Sequence, residues 1–95
     1  KMLDEWKKRL EDQKTQIASA EKELDLLNRE YRLRAAAMYA DVGNRLRNSG
    51  SWDKEDREYK QQIAEKEKAV ADAKQKLDDM QESARKAGVP SSVRE

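Results

Sequence analysis

Leu3, Leu10, Ile17, Leu24, Tyr31 and Met38 recur at every seventh position through the first half of the chain, with Trp6, Ala20 and Leu27 falling three or four places between them. Only a helix gathers such a period onto one face, and a face that narrow must be covered by a partner helix along its length. Gln13 and Arg34 are polar members of the same stripe. Past Tyr31 the stripe drifts to Ala35, Met38, Val42 and Leu46, a stutter that changes the seam angle without ending the helix. The second half repeats the pattern with Trp52, Tyr59, Ile63, Val70, Ala73, Leu77, Met80, Ala84 and Ala87, and with Asp56 and Lys66 as polar members.

This period decides a question that composition leaves open. The chain has 95 residues, 43% charged against 36% hydrophobic, with no Phe. That is too little apolar bulk for a compact globule, so the alternatives are disorder or a helical assembly with a thin core. A disordered chain has no reason to keep a seven-residue period. Off the stripe stand mostly Lys, Glu, Gln, Asp and Ala, largely good helix formers, and Glu55 with Tyr59 is spaced to pair along one helix.

The seven-residue spacing runs on through Arg45, Trp52 and Tyr59, so phase alone allows one continuous rod. Local chemistry opposes it. Asn48-Ser49-Gly50-Ser51 puts four poor helix formers in succession, and Gly43-Asn44 weakens the turn before. Asn48 or Gly50 suits a left-handed C-cap, and Ser51 suits an N-cap, followed by Asp53, Glu55 and Asp56 where the helix dipole favours negative charge. Gly88 then Pro90 stops the second helix, with Arg85 and Lys86 in its last turn.

The expected fold is therefore all-α: an antiparallel two-helix coiled-coil hairpin, with dimerisation into a four-helix bundle as the way to thicken a single seam. The expected segments are a first helix over residues 1–47, a turn at 48–51, a second helix over 52–87 and a tail over 88–95. Folding there sets Ala35 near Ile63, Leu27 near Val70 and Ala73, Ile17 near Met80, and Leu10 near Ala87. The first arm then outlasts the second by about two turns. That leaves Leu3 and Trp6 to meet the tail, a second copy or upstream chain. Lys1-Met2-Leu3 is already in helical rhythm without a cap, which reads as a segment continuing from a longer chain.

Few chemistries fit. The chain has no Cys and no His, which removes thiolate nucleophiles, disulfides, imidazole bases and the usual zinc ligands. There is no Gly-rich phosphate loop and no apolar pocket to raise a carboxyl's pKa for acid–base work. No cofactor, small-molecule substrate or enzymatic activity is expected. No apolar run reaches the length of a membrane span. The net charge of +1 does not point to nucleic acid.

The candidate interaction residues are Leu3 and Trp6 at one end and Tyr39, Arg45, Arg47, Trp52 and Tyr59 around the turn. Aromatics beside Arg suit a protein partner or single-stranded nucleic acid. Against that, Trp52 and Tyr59 lie on the stripe, where they serve to seal the end of the hairpin. Arg29, Arg32, Arg34, Arg45 and Arg47 form a basic run facing Asp53, Glu55, Asp56 and Glu58, so cross-helix ion pairing is expected to cancel most of its field. Lys66 and Arg34 can lay their stems along the seam with their heads in water, a placement that fixes register more often than it does chemistry.

Ala35-Ala36-Ala37-Met38-Tyr39-Ala40-Asp41-Val42-Gly43-Asn44 and Lys86-Ala87-Gly88-Val89-Pro90-Ser91-Ser92-Val93-Arg94-Glu95 resemble the C-terminal coiled-coil region of a family of exported bacterial proteins of the acidobacterial type. In that family such a region follows an export signal and a variable, disordered linker. The resemblance implies a periplasmic or secreted location and a chain ending near Glu95. It implies no activity and no functional residue. The functional expectation is a protein-interaction module for oligomerisation or partner docking in an envelope protein. A nucleic-acid-binding hairpin using the Arg-rich tip is the alternative.

Overall fold

The computed structural model describes residues 1–95. Helix α1 spans Met2–Ala40, α2 spans Val42–Lys86 and a single turn, α3, spans Ser91–Arg94. The two long helices pack against each other as an all-α helical hairpin without strands. The chain divides into two compact units. Lys22–Lys68 forms one, and Lys1–Glu21 with Ala69–Glu95 forms the other.

The stripe is the buried face. From Trp6 to Met38 and from Trp52 to Ala84, nearly every stripe residue is buried or half-buried and most of its flanking residues are exposed. The exceptions are instructive. Arg34 turns outward and Ala35 takes its place at the seam, while Leu3 and Ala87 at the ends are exposed. Most of this burial stabilises by removing apolar surface from water, at about 25 cal/mol per Å².

The turn is wider than the expected 48–51: it begins at Asp41, and of the four weak helix formers only Asn48 leaves helical geometry. Helix α1 ends at Ala40, and Asp41 stands between it and α2. The Asp41 Oδ1 accepts the backbone N–H groups of Gly43 at 2.9 Å and Asn44 at 3.3 Å. Its carbonyl accepts the first helical bond from the Arg45 N–H at 3.0 Å. These are the bonds of an N-cap, and they satisfy donors that would otherwise be orphaned. Val42 and Gly43, a β-branched residue and a glycine, are poor at carrying the previous helix onward.

Seven residues beyond Asp41, Asn48 departs from helical geometry (φ −118°, ψ 19°). Its Nδ2 donates to the Asn44 Oδ1 at 2.6 Å. The corner therefore runs from Asp41 to Asn48 with a short helical stretch between. Ser49, Gly50 and Ser51 are helical, not a turn, and Ser51 caps nothing. Val42 and Leu46, expected on the seam, belong to the corner and are exposed.

Moving the corner changes the pairing. Across the Lys22–Lys68 unit, Arg34 meets Glu55, Tyr31 meets Asp56, Glu30 meets Tyr59 and Glu23 meets Lys66. Each partner stands about two and a half helical turns earlier than the expected register placed it. In the other unit, Gln13 Nε2 donates to the carbonyl of Ala73 at 2.9 Å, a residue that the expected register sets opposite Leu27. The first arm consequently has no two-turn excess, since α1 and the part of α2 beyond Asn48 are of nearly equal length.

In the unit formed by Lys1–Glu21 and Ala69–Glu95, α2 ends one residue before the expected Ala87, by the signal read from sequence. Gly88 adopts φ +84°. The Val89 N–H reaches back to the Ala84 carbonyl and the Gly88 N–H to the Arg85 carbonyl, both at 3.0 Å. This is the Schellman cap, in which the residue after the glycine packs on the helix's last turn. Val89 and Ala84 are both buried, as is Leu10 on α1. The last residues are tied down and do not form a free tail. Pro90 opens α3, Arg94 Nε donates to the Val89 carbonyl at 3.0 Å, and Gln81 Nε2 donates to the Arg94 carbonyl at 3.1 Å. Lys14 Nζ also donates to the Glu95 carbonyl.

Candidate interaction surface at the hairpin tip

Trp52 is the anchor of the tip, 4% exposed in the first turn beyond Asn48. The Tyr31 ring lies nearly parallel to it, with centroids 6.3 Å apart, and the Tyr39 ring meets it edge-on at 6.4 Å. Tyr31 also touches the Tyr59 ring at 5.6 Å. Tilted and offset pairs of this kind add about 0.5–1.5 kcal/mol each beyond the area they bury. Trp52 and Tyr59 thus seal the end of the seam.

Tyr31 is the residue that sequence reasoning undervalued. As an apolar member of the stripe it was expected only to pack. Its hydroxyl donates to Asp56 Oδ1 at 2.6 Å, and Asp56 Oδ2 pairs with Lys60 Nζ at 2.9 Å. The hydrogen bond holds the Asp56 carboxyl below its ordinary range and, with burial, raises the Tyr31 phenol above its own. The signal was present in the sequence, since a Tyr and an Asp both occupied stripe positions, but the wrong register kept them apart.

Beside this cluster Arg34 grips Glu55 with two parallel bonds, Nε to Oε1 at 2.8 Å and Nη2 to Oε2 at 3.0 Å. A bidentate pair adds geometric specificity to charge, and it depresses the Glu55 carboxyl. The Tyr59 hydroxyl donates to Glu30 Oε1 at 2.9 Å; burial first, then this bond, raises its pKa. Glu55 and Tyr59 therefore reach across to α1 instead of pairing with each other along α2.

The expected cancellation of the basic run holds only for Arg34. Arg29 pairs with Asp25 on its own helix at 3.0 Å. Arg45 places its guanidinium over the Tyr39 ring, 5.7 Å from the centroid, and Tyr39 is itself 57% exposed. Arg47 is exposed, with an Nη1 that would stand 3.2 Å from a Cβ added at Gly43. The corner thus presents Tyr39, Val42, Arg45, Leu46 and Arg47 to solvent. Tyr39, Arg45 and Arg47, expected together at the tip, all lie on or beside this outer surface, while Trp52 lies beneath it.

Leu3 and Trp6 belong to the other unit. Leu3 is exposed and Trp6 half-buried, with the Arg9 guanidinium 4.5 Å from the indole centroid. No group of three or more Asp or Glu is placed to hold a metal ion, and no helix is long and apolar enough to cross a membrane. The chain matches no protein-family model, no curated protein and no solved structure.

Proposed function

We propose that this chain is a protein-interaction module, a coiled-coil hairpin that oligomerises or docks a partner helix in an exported bacterial envelope protein. The observation that carries the reading is the apolar surface left outside the seam. Seven large apolar side chains are exposed, among them Leu33 at 72% and Leu46 at 75%. Scattered exposed leucines need no explanation. These are grouped, with Leu26 and Leu33 seven residues apart on α1 and Tyr39, Val42 and Leu46 around the corner. A hairpin with a single buried seam gains stability by covering such faces. The envelope assignment rests on the resemblance of residues 35–44 and 86–95, and catalysis has no part in the reading.

Sedimentation velocity over a concentration series tests it. Association into dimers or larger species at micromolar concentration is expected. A monomer at every concentration would leave only docking to a different protein.

One observation favours nucleic acid as a second reading. Arg45 and Arg47 have no carboxylate partner, and Arg45 lies on an exposed tyrosine, an arrangement that suits base stacking beside phosphate. Under that reading, salt-dependent binding to single-stranded oligonucleotides appears in titrations and is lost on Arg45→Glu with Arg47→Glu. Binding that survives the double reversal would count against it.

A further inference from the structure

Helix α1 carries a ridge of mixed character on its outer side within the Lys22–Lys68 unit. Lys22, Leu26, Arg29 and Leu33 follow one another at helical spacing, and Arg32 flanks Leu33. Leu26 is 53% exposed and Leu33 more so. Arg29 is occupied by Asp25, but Lys22 and Arg32 have no acidic partner. The ridge is apolar at its crest and positive along its edge.

Next to it, on one side of the same unit, α1 and α2 border an open groove of about 540 Å³, with Glu23, Leu26, Leu27 and Glu30 along one side and Gln62, Glu65 and Lys66 along the other. It continues toward the corner past Glu55 and Glu58. Lys66 answers Glu23, and Arg34 answers Glu55. Glu58 and Glu65 have no cationic partner, and Glu30 receives only a neutral phenol. The groove therefore offers two leucines beside a rim on which three carboxylates, Glu30, Glu58 and Glu65, are answered by no cation.

We infer that this groove takes the basic, leucine-bearing ridge of α1 from a second copy of the chain. The two surfaces are complementary in charge and alike in their apolar centre, and both adjoin Leu26. A two-fold pairing can therefore satisfy both at once, with each copy giving a ridge and receiving one. Leu33 fills the partner's groove over Leu26 and Leu27, while Lys22 and Arg32 stand against Glu58 and Glu65. Complementary rims of this kind set orientation and encounter rate, and the covered leucines supply most of the affinity. The inference rests on the oligomerising reading above and gives it a surface.

A charge swap tests it using substitutions that break no internal ion pair. Lys22→Glu with Arg32→Glu reverses the ridge, and Glu58→Lys with Glu65→Lys reverses the groove. Each reversed chain, still fully helical by circular dichroism, should dimerise at least roughly tenfold more weakly than the parent. An equimolar mixture of the two places a negative ridge in a positive groove and a positive ridge in a negative one, so it should regain the parent's dimerisation. Mixing two differently tagged chains reports this directly by sedimentation or energy transfer. The milder pair Glu58→Gln with Glu65→Gln should weaken the parent dimer by a smaller factor. Reversals that leave a parent dimer intact would overturn this surface but not the oligomerising reading. Weakened chains that fail to recover on mixing would overturn the pairing. A parent that never dimerises would overturn both.

Discussion

The two units of the hairpin use the same stripe to different ends. In the unit built from Lys1–Glu21 and Ala69–Glu95, burial is apolar and fairly complete. Leu10 and Ala84 are fully buried, with Val89, Val70 and Ile17 close behind, and the one buried polar side chain, Gln13, is bonded to the Ala73 carbonyl. In the Lys22–Lys68 unit only Met38 and Trp52 are buried. Its helices are joined by a polar web of Tyr31 with Asp56, Arg34 with Glu55, Tyr59 with Glu30 and Lys66 with Glu23. A dry seam is indifferent to pH and salt, whereas a wet one depends on both. The unit with the thinner core is also the one with the exposed corner and ridge.

Each unit should lose most when its anchor side chain is removed. Leu10→Ala leaves a cavity in the dry unit and should cost about 2–5 kcal/mol; Trp52→Ala removes the hub of the aromatic cluster and should cost about 3–5 kcal/mol. The chain carries one Trp in each unit, Trp6 and Trp52. Urea melts followed by circular dichroism, and by Trp6 or Trp52 fluorescence in the single-tryptophan chains, will say whether the loss spreads. If Leu10→Ala lowers the midpoint for the Trp52 signal as much as for the helix signal, the units unfold together and the division is one of composition only.

A smaller effect should follow at the backbone caps. Asp41→Ala removes the acceptor for Gly43 and Asn44 and should cost about 0.5–2 kcal/mol. It should also free the corner to slide toward Asn48. Spin labels at Arg32 and Arg57 would detect such a slide as a broadened distance distribution, and an unchanged distribution would mean that the cross-helix pairs alone fix register. Gly88→Ala forces a side chain into the left-handed region at φ +84° and should cost about 1–2 kcal/mol in the dry unit, read from the thermal midpoint.

These two caps mark what was legible in the sequence. The face of each helix was legible because it is a property of one helix: the apolar period names it, and residues from Trp6 to Met38 and from Trp52 to Ala84 obey it. The stop at Gly88 was legible for the same reason, since glycine followed by proline is a local signal. Register was not, because it belongs to the pair. It depends on where the chain turns, and that is set by the Asp41 cap together with Asn48, while Ser49, Gly50 and Ser51 stay helical despite their low propensities. At roughly 0.5–1 kcal/mol each, such propensities yield once the segment leads into a buried Trp52. The tip residues were legible as a group, with Tyr39, Arg45 and Arg47 on or beside the outer surface and Trp52 beneath. Tyr31 and the ridge of Leu26 and Leu33 were passed over, because a stripe assignment hides a hydroxyl's bond and says nothing of a second, weaker face.

pH separates the units more finely. Hydrogen bonds hold the Asp56 and Glu55 carboxyls below their ordinary range in the folded chain. The unfolded chain therefore binds protons first, and the stability these groups contribute is present above about pH 4 and lost as pH falls through their lowered values. At the alkaline end Tyr31 and Tyr59 have raised pKa values. Their contribution is present below about pH 10 and lost as pH rises through those values. In the other unit Glu82 is depressed by Arg85 on the same helix, so its protonation frays one turn without parting two helices. In a chain whose Trp6 is replaced by Phe, Trp52 fluorescence should respond at both extremes before the far-ultraviolet helix signal does. Equal responses would show that the polar web contributes little to holding the helices together.

Two cross-helix ion pairs, one in each unit, should differ in what they contribute. Lys74 pairs with Glu21 at 3.1 Å in the dry unit, and both side chains are about half exposed. An isolated pair of this kind gains little in water and costs side-chain entropy, so Lys74→Ala should change stability by about 0–0.5 kcal/mol and add no salt dependence. Arg34→Ala removes a bidentate partner from a Glu55 that is only 30% exposed, so it should cost more, and its cost should shrink as salt is raised. Paired urea melts of the two variants at low and high salt make the contrast. If both lose the same small amount, charge is incidental in both units. The wet seam would then be held by its aromatic rings, and its departure from the dry one would be a matter of which side chains fill it.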